Sequence, residues 1–459
     1  MDKNSKKEKP RTKKITQFEI LRPNVAGIDV SDNNGMMVAY PVNDTDMVIE
    51  EFDCYTRDLR RISATLQSHK IVSVALESTG VYWIPLFLLL QEDGFEVYLV
   101  NSKHVKNVTG RKDDEGDAEW LQKLHRCGLL SASFQPDNQT RALRSVVRHR
   151  LSLVQTCSTY LNRLQKALEL MNLKIHAVLS DIDGKSGLRI IEAILAGERD
   201  AEVLADLCDY RVKASREEIV KSLEGFWSDE HLFELSQCYE MYKFHNKMIE
   251  KCELEIEKIL QQDIQSKNGG VIPKMAKTLK PKPSSDTDIC FKLLNYLYML
   301  TKVDIASVDG ISGISVITAL SIYAETGPDL RFFKSEKHFA SWLGLAPNTK
   351  KSGGKVISSR VPKKKHYAGQ VFRMAAMSMR NNKGPLGDFY RRVRSTAGKA
   401  KAVVALARKL AVIYYRMMTD KTAYNPQAMI EYQEKYRERK IKNLEKRLMK
   451  LKAEAAAAA

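Results

Sequence analysis

The sequence predicts an α/β domain at the N-terminal end, a long helical middle and a mainly helical C-terminal domain. Short apolar runs of strand character are confined to the early part of the chain, apolar stripes at helical spacing persist through the middle, and a turn-and-helix pattern with one-sided basic composition follows. A length of 459 residues accommodates about two to four domains at roughly 100–200 residues each.

Residues 1–24 form a basic arm, of which 1–14, MDKNSKKEKPRTKK, have nothing to bury, so disorder is their default state. An α/β domain over 25–135 follows. In VAGIDVSDN an apolar run from Val25 to Val30 gives way to polar turn residues and then to a second strand-like run, Met36 to Val42. IVSVALE ends on Glu77 and meets Ser78-Thr79-Gly80, where a strand stops. RKDDEGDAEWLQKLHRCG reads as a helix with Ala118, Leu121 and Leu124 turned inward and Gly128 as its stop.

These elements place four acids in one pattern: Asp29 and Glu77 at strand ends, Asp114 and Asp117 three residues apart on one helical face. Gathered carboxylates raise each other's pKa unless a cation neutralises them. Oxygen-only ligands favour Mg²⁺ or Mn²⁺, and two such ions about 4 Å apart can activate an attacking oxygen and stabilise a leaving one on a phosphodiester. Any single acid at a strand end is ordinarily just solvated. The weight lies in the four together, with Asp113 and Glu115 as substitutes for the second pair.

Residues 136–300 carry two long amphipathic stretches. Leu143, Val146, Val147, Leu151, Val154, Leu161, Leu164 and Leu168 stripe the first; the second runs from about Arg216 to Leu260, with Met248, Ile249, Cys252, Ile256 and Ile259 on one face. Periodicity alone fits an antiparallel pair within one chain as well as an intermolecular coiled coil. KNGGVIPKMAKTLKPKPSSDTD, Lys267 to Asp288, reads as a linker or exposed loop.

In the C-terminal domain, 301–424, VDGISGISVITALSIYAETG is compatible with a helix-hairpin-helix or with a plain packing corner, since Ser315 stands where the second glycine is expected. Across Arg331 to Tyr424, Lys and Arg outnumber Asp and Glu roughly seven to one, far beyond a mixed surface. Phosphate contact from such a face gives affinity that falls with salt. Phe332, Phe333, Trp342, Tyr367, Phe372 and Tyr390 are interleaved with it, offering base stacking or simply core. Ser352 lies within NTKKSGGKV, where glycines permit close approach and lysines can offset charge on an attacked phosphate, although Ser-Gly-Gly alone is ordinary turn chemistry. A charged helical tail, 425–459, closes the chain, its final Ala run being left out of the functional reading.

A formal charge of +18 predicts a polyanionic partner, nucleic acid first. The longest apolar run, Val81 to Leu90, is well short of the ~20 residues that span a bilayer, and no signal-peptide pattern opens the chain, so a cytoplasmic, nucleoid-associated protein with no membrane partner is expected. The seven cysteines are scattered without zinc spacing, consistent with reduced thiols.

GIDVS, ALESTGVYWIPLFLLL, VNSKHVKNVTGRKDDEGDAEWL, GISVITALSIYAETG and GLAPNTKKSGGK together resemble the DEDD transposases of the insertion-sequence one-ten family, relatives of the Piv/MooV DNA invertases, over about Val25 to Tyr424. The resemblance implies a RuvC-like, RNase H-type N-terminal domain, a coiled-coil middle that oligomerises, and a C-terminal transposase domain with a catalytic serine. It implies Asp29, Glu77, Asp114 and Asp117 as the metal tetrad holding Mg²⁺ (or Mn²⁺), although Lys112-Asp113-Asp114 replaces the family's Lys-Thr-Asp and adds a rival acid. It assigns the serine to Ser352, following Gly344-Leu345-Ala346-Pro347, with Ser358 and Ser359 as rivals.

Lys350, Lys351, Lys355, Arg360, Lys363, Lys364, Lys365 and Arg373 are the expected nucleic-acid contacts. The implied activity is cutting and rejoining DNA through a transient phosphoserine–DNA bond in a homo-oligomer, a dimer or tetramer, guided by a structured bridge RNA that pairs with donor and target DNA. A Holliday-junction resolvase using water, a site-specific DNA invertase and a catalytically silent nucleic-acid-binding module are the alternatives.

Overall fold

A glycine-containing apolar strand, β1 (Val25–Val30), runs through the middle of a five-stranded sheet ordered β3-β2-β1-β4-β5. The computed structural model describes residues 20–30, 35–43, 46–101, 116–275, 278–283, 287–362 and 366–458. The chain divides into two compact units, 1–135 and 136–459.

In the first unit β2 (Met36–Pro41) and β3 (Met47–Phe52) pair antiparallel beside β1, while β4 (Ser73–Glu77) and β5 (Glu96–Val100) run parallel to it. The parallel strands need crossovers, supplied by α1 (Thr56–Ser68) and α2 (Trp83–Glu92). Alternation along β1 then sorts its residues. Ala26, Ile28 and Val30 join a buried cluster with Ile62, Leu66, Leu86, Phe87 and Leu90 of those helices. Gly27 and Asp29 fall on the opposite face, which α3 (Asp117–Arg126) covers with Leu121 and Leu124 against Val100. β3 has no counterpart in the sequence reading; its half-polar MVIEEF occupies the sheet edge, where alternation is weak.

The second unit is built on two long helices, α4 (Asn138–Leu170) and α9 (Asp229–Lys267). They pack on each other antiparallel within the chain, as Gln139 with Ser266, Arg150 with Glu253, and Cys157 with Asn246 establish. Asp137 caps α4 by accepting from the Thr140 N–H at 2.7 Å. Short helices α5 (Ile175–Val178), α6 (Lys185–Leu195), α7 (Ala201–Asp206) and α8 (Arg216–Leu223) close one end over a cluster that includes Leu164, Leu168, Ile191 and Leu235. The helical stretch expected from Arg216 is therefore interrupted between Leu223 and Asp229. Gly225 sits in that break because a Cβ there would lie 2.6 Å from the Met171 carbonyl oxygen.

The other end meets a mainly helical assembly of α10 (Asp288–Thr301), α11 (Val316–Thr326), α12 (Glu336–Trp342), α13 (Tyr367–Ser378), α14 (Pro385–Ala397), α15 (Lys399–Asp420) and α16 (Gln427–Ala458). Tyr323, Phe339, Phe372 and Tyr414 are fully buried there, and the Tyr414 hydroxyl lies 3.1 Å from Thr326 Oγ1. Ser315 caps α11 by accepting from the Thr318 N–H, which explains a serine where a glycine was expected. The linker reading of Lys267 to Asp288 needs correction in part. Leu279 bonds Asn295, Pro281 bridges Ser307, and the partly buried Lys282 ammonium donates to the Ile311 and Ile314 carbonyls, both at 2.8 Å.

Candidate functional site

The register that pairs Ile28 with Leu76 sets Asp29 and Glu77 one step further along two adjacent parallel strands. Asp117 is the first residue of α3, and what brings that helix close is the residue two before Asp29. A Cβ at Gly27 would lie 2.4 Å from both the Ala118 carbonyl oxygen and the Gln122 amide nitrogen, so only glycine lets α3 rest directly on β1. Gln122 donates to the Val25 carbonyl at 3.3 Å, and His125 Nε2 lies 2.8 Å from Ser73 Oγ on β4, which fixes the far end of the helix on the sheet.

Three carboxylates thus converge electrostatically. Partial burial, then the negative charges of Glu77 and Asp117, hold the Asp29 carboxyl above the ordinary carboxylate range, against a hydrogen bond from the Val30 amide that favours the ionised form. Thr79 Oγ1 reaches Glu77 at 3.5 Å. Asp114, with Asp113 and Glu115, lies outside the described residues. The helix that carries Asp117 begins at that residue, with Gly116 as its N-cap. The donor chemistry, oxygen only, fits a hard divalent ion. Among the described residues alone, no three His, Cys, Asp or Glu side chains are gathered closely enough to hold one.

Ser352 belongs to the second unit. It ends β6 (Lys350–Ser352), which pairs with β7 (Lys355–Ser358) in an exposed hairpin whose register sets Ser352 opposite Lys355. The two-residue turn between them has positive φ at Gly353 (+52°) and Gly354 (+76°), so the Gly-Gly pair is required by the turn itself. Lys350, Lys351 and Lys355 are exposed on this ribbon, and Arg360 is exposed just beyond it. Lys363, Lys364 and Lys365 lie outside the described residues. Arg373 is half-buried and donates to the Gly344 carbonyl at 2.7 Å, tying α13 to the turn after α12.

Two features escaped sequence reasoning. Gly27 looks like an unremarked strand residue until α3 is placed, and Glu325 looks like the end of an amphipathic helix. Its carboxylate is buried and accepts two bonds from Arg148 at 2.7 and 2.9 Å, with Arg144 at 3.6 Å. Arg141, Arg144 and Arg148, three and four residues apart on one helix face in RALRSVVRHR, were the available signal for a paired acid elsewhere.

Among the described residues no helix is long and apolar enough to cross a membrane. Comparison with known proteins gives two family matches. Residues 26–173 match a family described as "Transposase", and residues 306–391 match one described as "Transposase IS116/IS110/IS902 family". The transposase for insertion sequence element IS1111A of Coxiella burnetii is 26% identical over 126 residues, 26% of this chain and 34% of that protein. The insertion element IS900 uncharacterized 42 kDa protein of Mycobacterium paratuberculosis is 32% identical over 120 residues, 25% of this chain and 29% of that protein. The alignments span about a third of the length of these curated relatives.

Proposed function

The chain belongs to the IS110 family of transposases, and on that premise we propose that it cuts and rejoins DNA strands as the transposase of an insertion sequence. The observation that carries the reading is the crowding of Asp29 by Glu77 and Asp117 where β1, β4 and α3 meet. A mixed sheet with three antiparallel strands continued by two parallel ones, and acids on its central strands, supports the RuvC-like, RNase H-type reading of this unit.

Asp29, Glu77, Asp114 and Asp117 would hold Mg²⁺ or Mn²⁺. Such an ion, when bound, polarises a phosphate oxygen and stabilises charge on the exchanging ester oxygens. The rest falls to the chain's own groups. Ser352 Oγ gives up its proton and attacks phosphorus; one P–O ester bond breaks as the Oγ–P bond forms, and the departing deoxyribose oxygen takes a proton. Lys350, Lys351 and Lys355 beside it offset the negative charge of the attacked phosphate. Reversal of the same step with a different deoxyribose oxygen rejoins strands and restores the serine. The tetrad of one subunit works with the serine of another in a dimer or tetramer. A structured bridge RNA, pairing with donor and target, selects sequence and leaves the protein to read backbone and shape.

The test uses the full chain, DNA carrying the element's ends, and RNA recovered with the protein. The parent yields a covalent protein–DNA adduct and joined strands, while Asp29→Ala and Ser352→Ala each lose both. Cleavage retained by Ser352→Ala identifies water as nucleophile and a resolvase instead. Recombination by Asp29→Ala at the parent's rate ends the enzymatic reading. Sequencing that recovers no discrete co-purified RNA removes the guide.

A further inference from the structure

The 51 residues between Glu336 and Asp388 hold eleven Lys and Arg and no Asp or Glu. Helix α13 lies within that run and has two unlike faces. Ala368, Phe372, Ala375 and Ala376 are buried, and the helix packs on α11 and α15. On the opposite side Gln370, Met374 and Met377 are exposed, continued by exposed Asn381 in the 3₁₀ turn Met379–Asn381, at successive offsets of four, three and four residues. That spacing makes one straight stripe of two carboxamides enclosing two thioethers, with Met374 and Met377 64% and 53% exposed. The stripe stands on a fixed base. Arg373 ties the helix to the Gly344 carbonyl at 2.7 Å, and a Cβ at Gly369 would lie 2.1 Å from the Leu343 carbonyl oxygen. At the other end a Cβ at Gly313 would lie 2.5 Å from the Met379 sulfur. A recognition surface on a helix so seated is held to one geometry.

The chemistry of the stripe selects its partner. An acid-free stretch of such charge draws a polyanion, and without a carboxylate it has nothing to offer the lysines of a basic protein. The thioethers need apolar contact, and the carboxamides need a donor beside an acceptor. The major groove of B-form DNA presents both: the thymine methyl, and adenine N6 and N7, which a Gln or Asn side chain meets with two bonds. From Gln370 to Asn381 the helical rise is about 16 Å, roughly five base pairs of duplex. Arg380 and Lys383, exposed beside the end of the stripe, are placed to meet the phosphates that border the groove. Other nucleic acids fit less well. An RNA duplex has a major groove too deep and narrow for side chains, and a single strand asks for aromatic rings to stack on, which the stripe lacks.

We propose that this face of α13 lies in the major groove of a DNA duplex and reads A·T pairs, Gln370 and Asn381 through adenine, Met374 and Met377 through the thymine methyl. The inference rests on the DNA-rejoining reading above and adds a short stretch of duplex that the protein itself reads, beside any that a guide pairs with.

The experiment selects bound duplexes from a random-sequence DNA pool with the full-length protein, in EDTA to prevent cleavage, and then measures the selected duplex by fluorescence anisotropy. The parent should enrich a motif containing A·T pairs over roughly five positions. Replacing the motif's thymines by uracil removes only the methyl, and replacing its adenines by 7-deazaadenine removes only the N7 acceptor. Each change should weaken binding by the parent about fivefold or more. Gln370→Ala/Asn381→Ala should bind the adenine and 7-deazaadenine duplexes alike, and Met374→Ala/Met377→Ala the thymine and uracil duplexes alike, with melting profiles near the parent's because all four side chains are exposed. The analogues probe the unaltered protein, so an unfolded variant does not remove the test. A selection with no A·T motif, analogues that leave the parent's affinity unchanged, folded variants that discriminate as the parent does, or an RNA duplex of the same sequence that competes as strongly overturns the inference. Strand joining that persists in the same preparation then leaves the transposase reading standing. A parent that binds no DNA in the pool overturns both.

Discussion

The acidic corner of the first unit and the basic face of the second are charge clusters of opposite sign built in different ways. Asp29 sits on the central strand of a sheet; Glu77 is set beside it by strand pairing, and Asp117 is brought near by a helix that rests on bare backbone at Gly27. Repulsion there is partly buried and enforced by the fold. The cations of the second unit stand on a hairpin and along a helix surface, mostly in water, where repulsion is screened. Its buried charge is treated differently: Glu325 is surrounded by Arg148 and Arg144 and needs nothing from outside. A compact cation relieves the first cluster, and a long polyanion relieves the second.

That contrast can be broken at its strongest point first. Glu325→Ala removes the carboxylate shared by half-exposed Arg148 and the more buried Arg144; the second unit should lose about 3 kcal/mol, seen as a lower denaturant midpoint for that unit with the first unchanged. If the loss is below 1 kcal/mol, the buried pair is not what joins α4 to α11. Gly27→Val comes next, since its side chain collides with backbone atoms of α3. About 3 kcal/mol of the first unit's stability should disappear, together with strand joining, while oligonucleotide binding by the second unit persists.

Acid should also separate the two. His125 is buried beside Ser73, and desolvation, then the charge of Arg22, bring its pKa down from 6.5 to about 4. The unfolded chain thus binds a proton that the folded one refuses. The first unit is free of this penalty above pH 6.5 and loses on the order of 3 kcal/mol as the pH falls from there through about 4. Urea midpoints measured across that window report it, and His125→Gln should flatten the profile. The smallest effect has the opposite sign. Asp29→Asn removes a crowded carboxylate while keeping its shape, so in EDTA the first unit should melt about 3 °C higher even as strand joining is lost. A lower melting temperature would mean that Asp29 contributes more through hydrogen bonds than it costs through repulsion.

Much of the acidic site was legible in the residues. VAGIDV and SVALE are continuous apolar runs, as strands covered on both faces must be, and Ala118, Leu121 and Leu124 recur at helical spacing, so the positions of Asp29, Glu77 and Asp117 on their elements followed. The start of α3 did not, because an acid-rich segment with good helix formers continues the pattern past Gly116, and only backbone geometry ends it. Gly27 was silent for a different reason: its importance is a distance to a helix some ninety residues away in the chain. Lys282 was hidden in a Gly, Pro and Ser-rich segment whose composition argues for solvent; two carbonyls of the turn before α11, near in space only, hold it in place. The break at Gly225 was likewise masked by strong helical periodicity on both sides.

The paired long helices have a mechanical consequence. With 39 residues, α9 is about 58 Å long, and its partner α4 is clamped near its start by the two arginine bonds to Glu325. A stiff rod held at one end converts angle into travel: a tilt of about five degrees at the clamp sweeps the opposite tip through roughly 5 Å, close to one helical turn. Whatever grips that distant tip gains leverage over the orientation of the serine-bearing half.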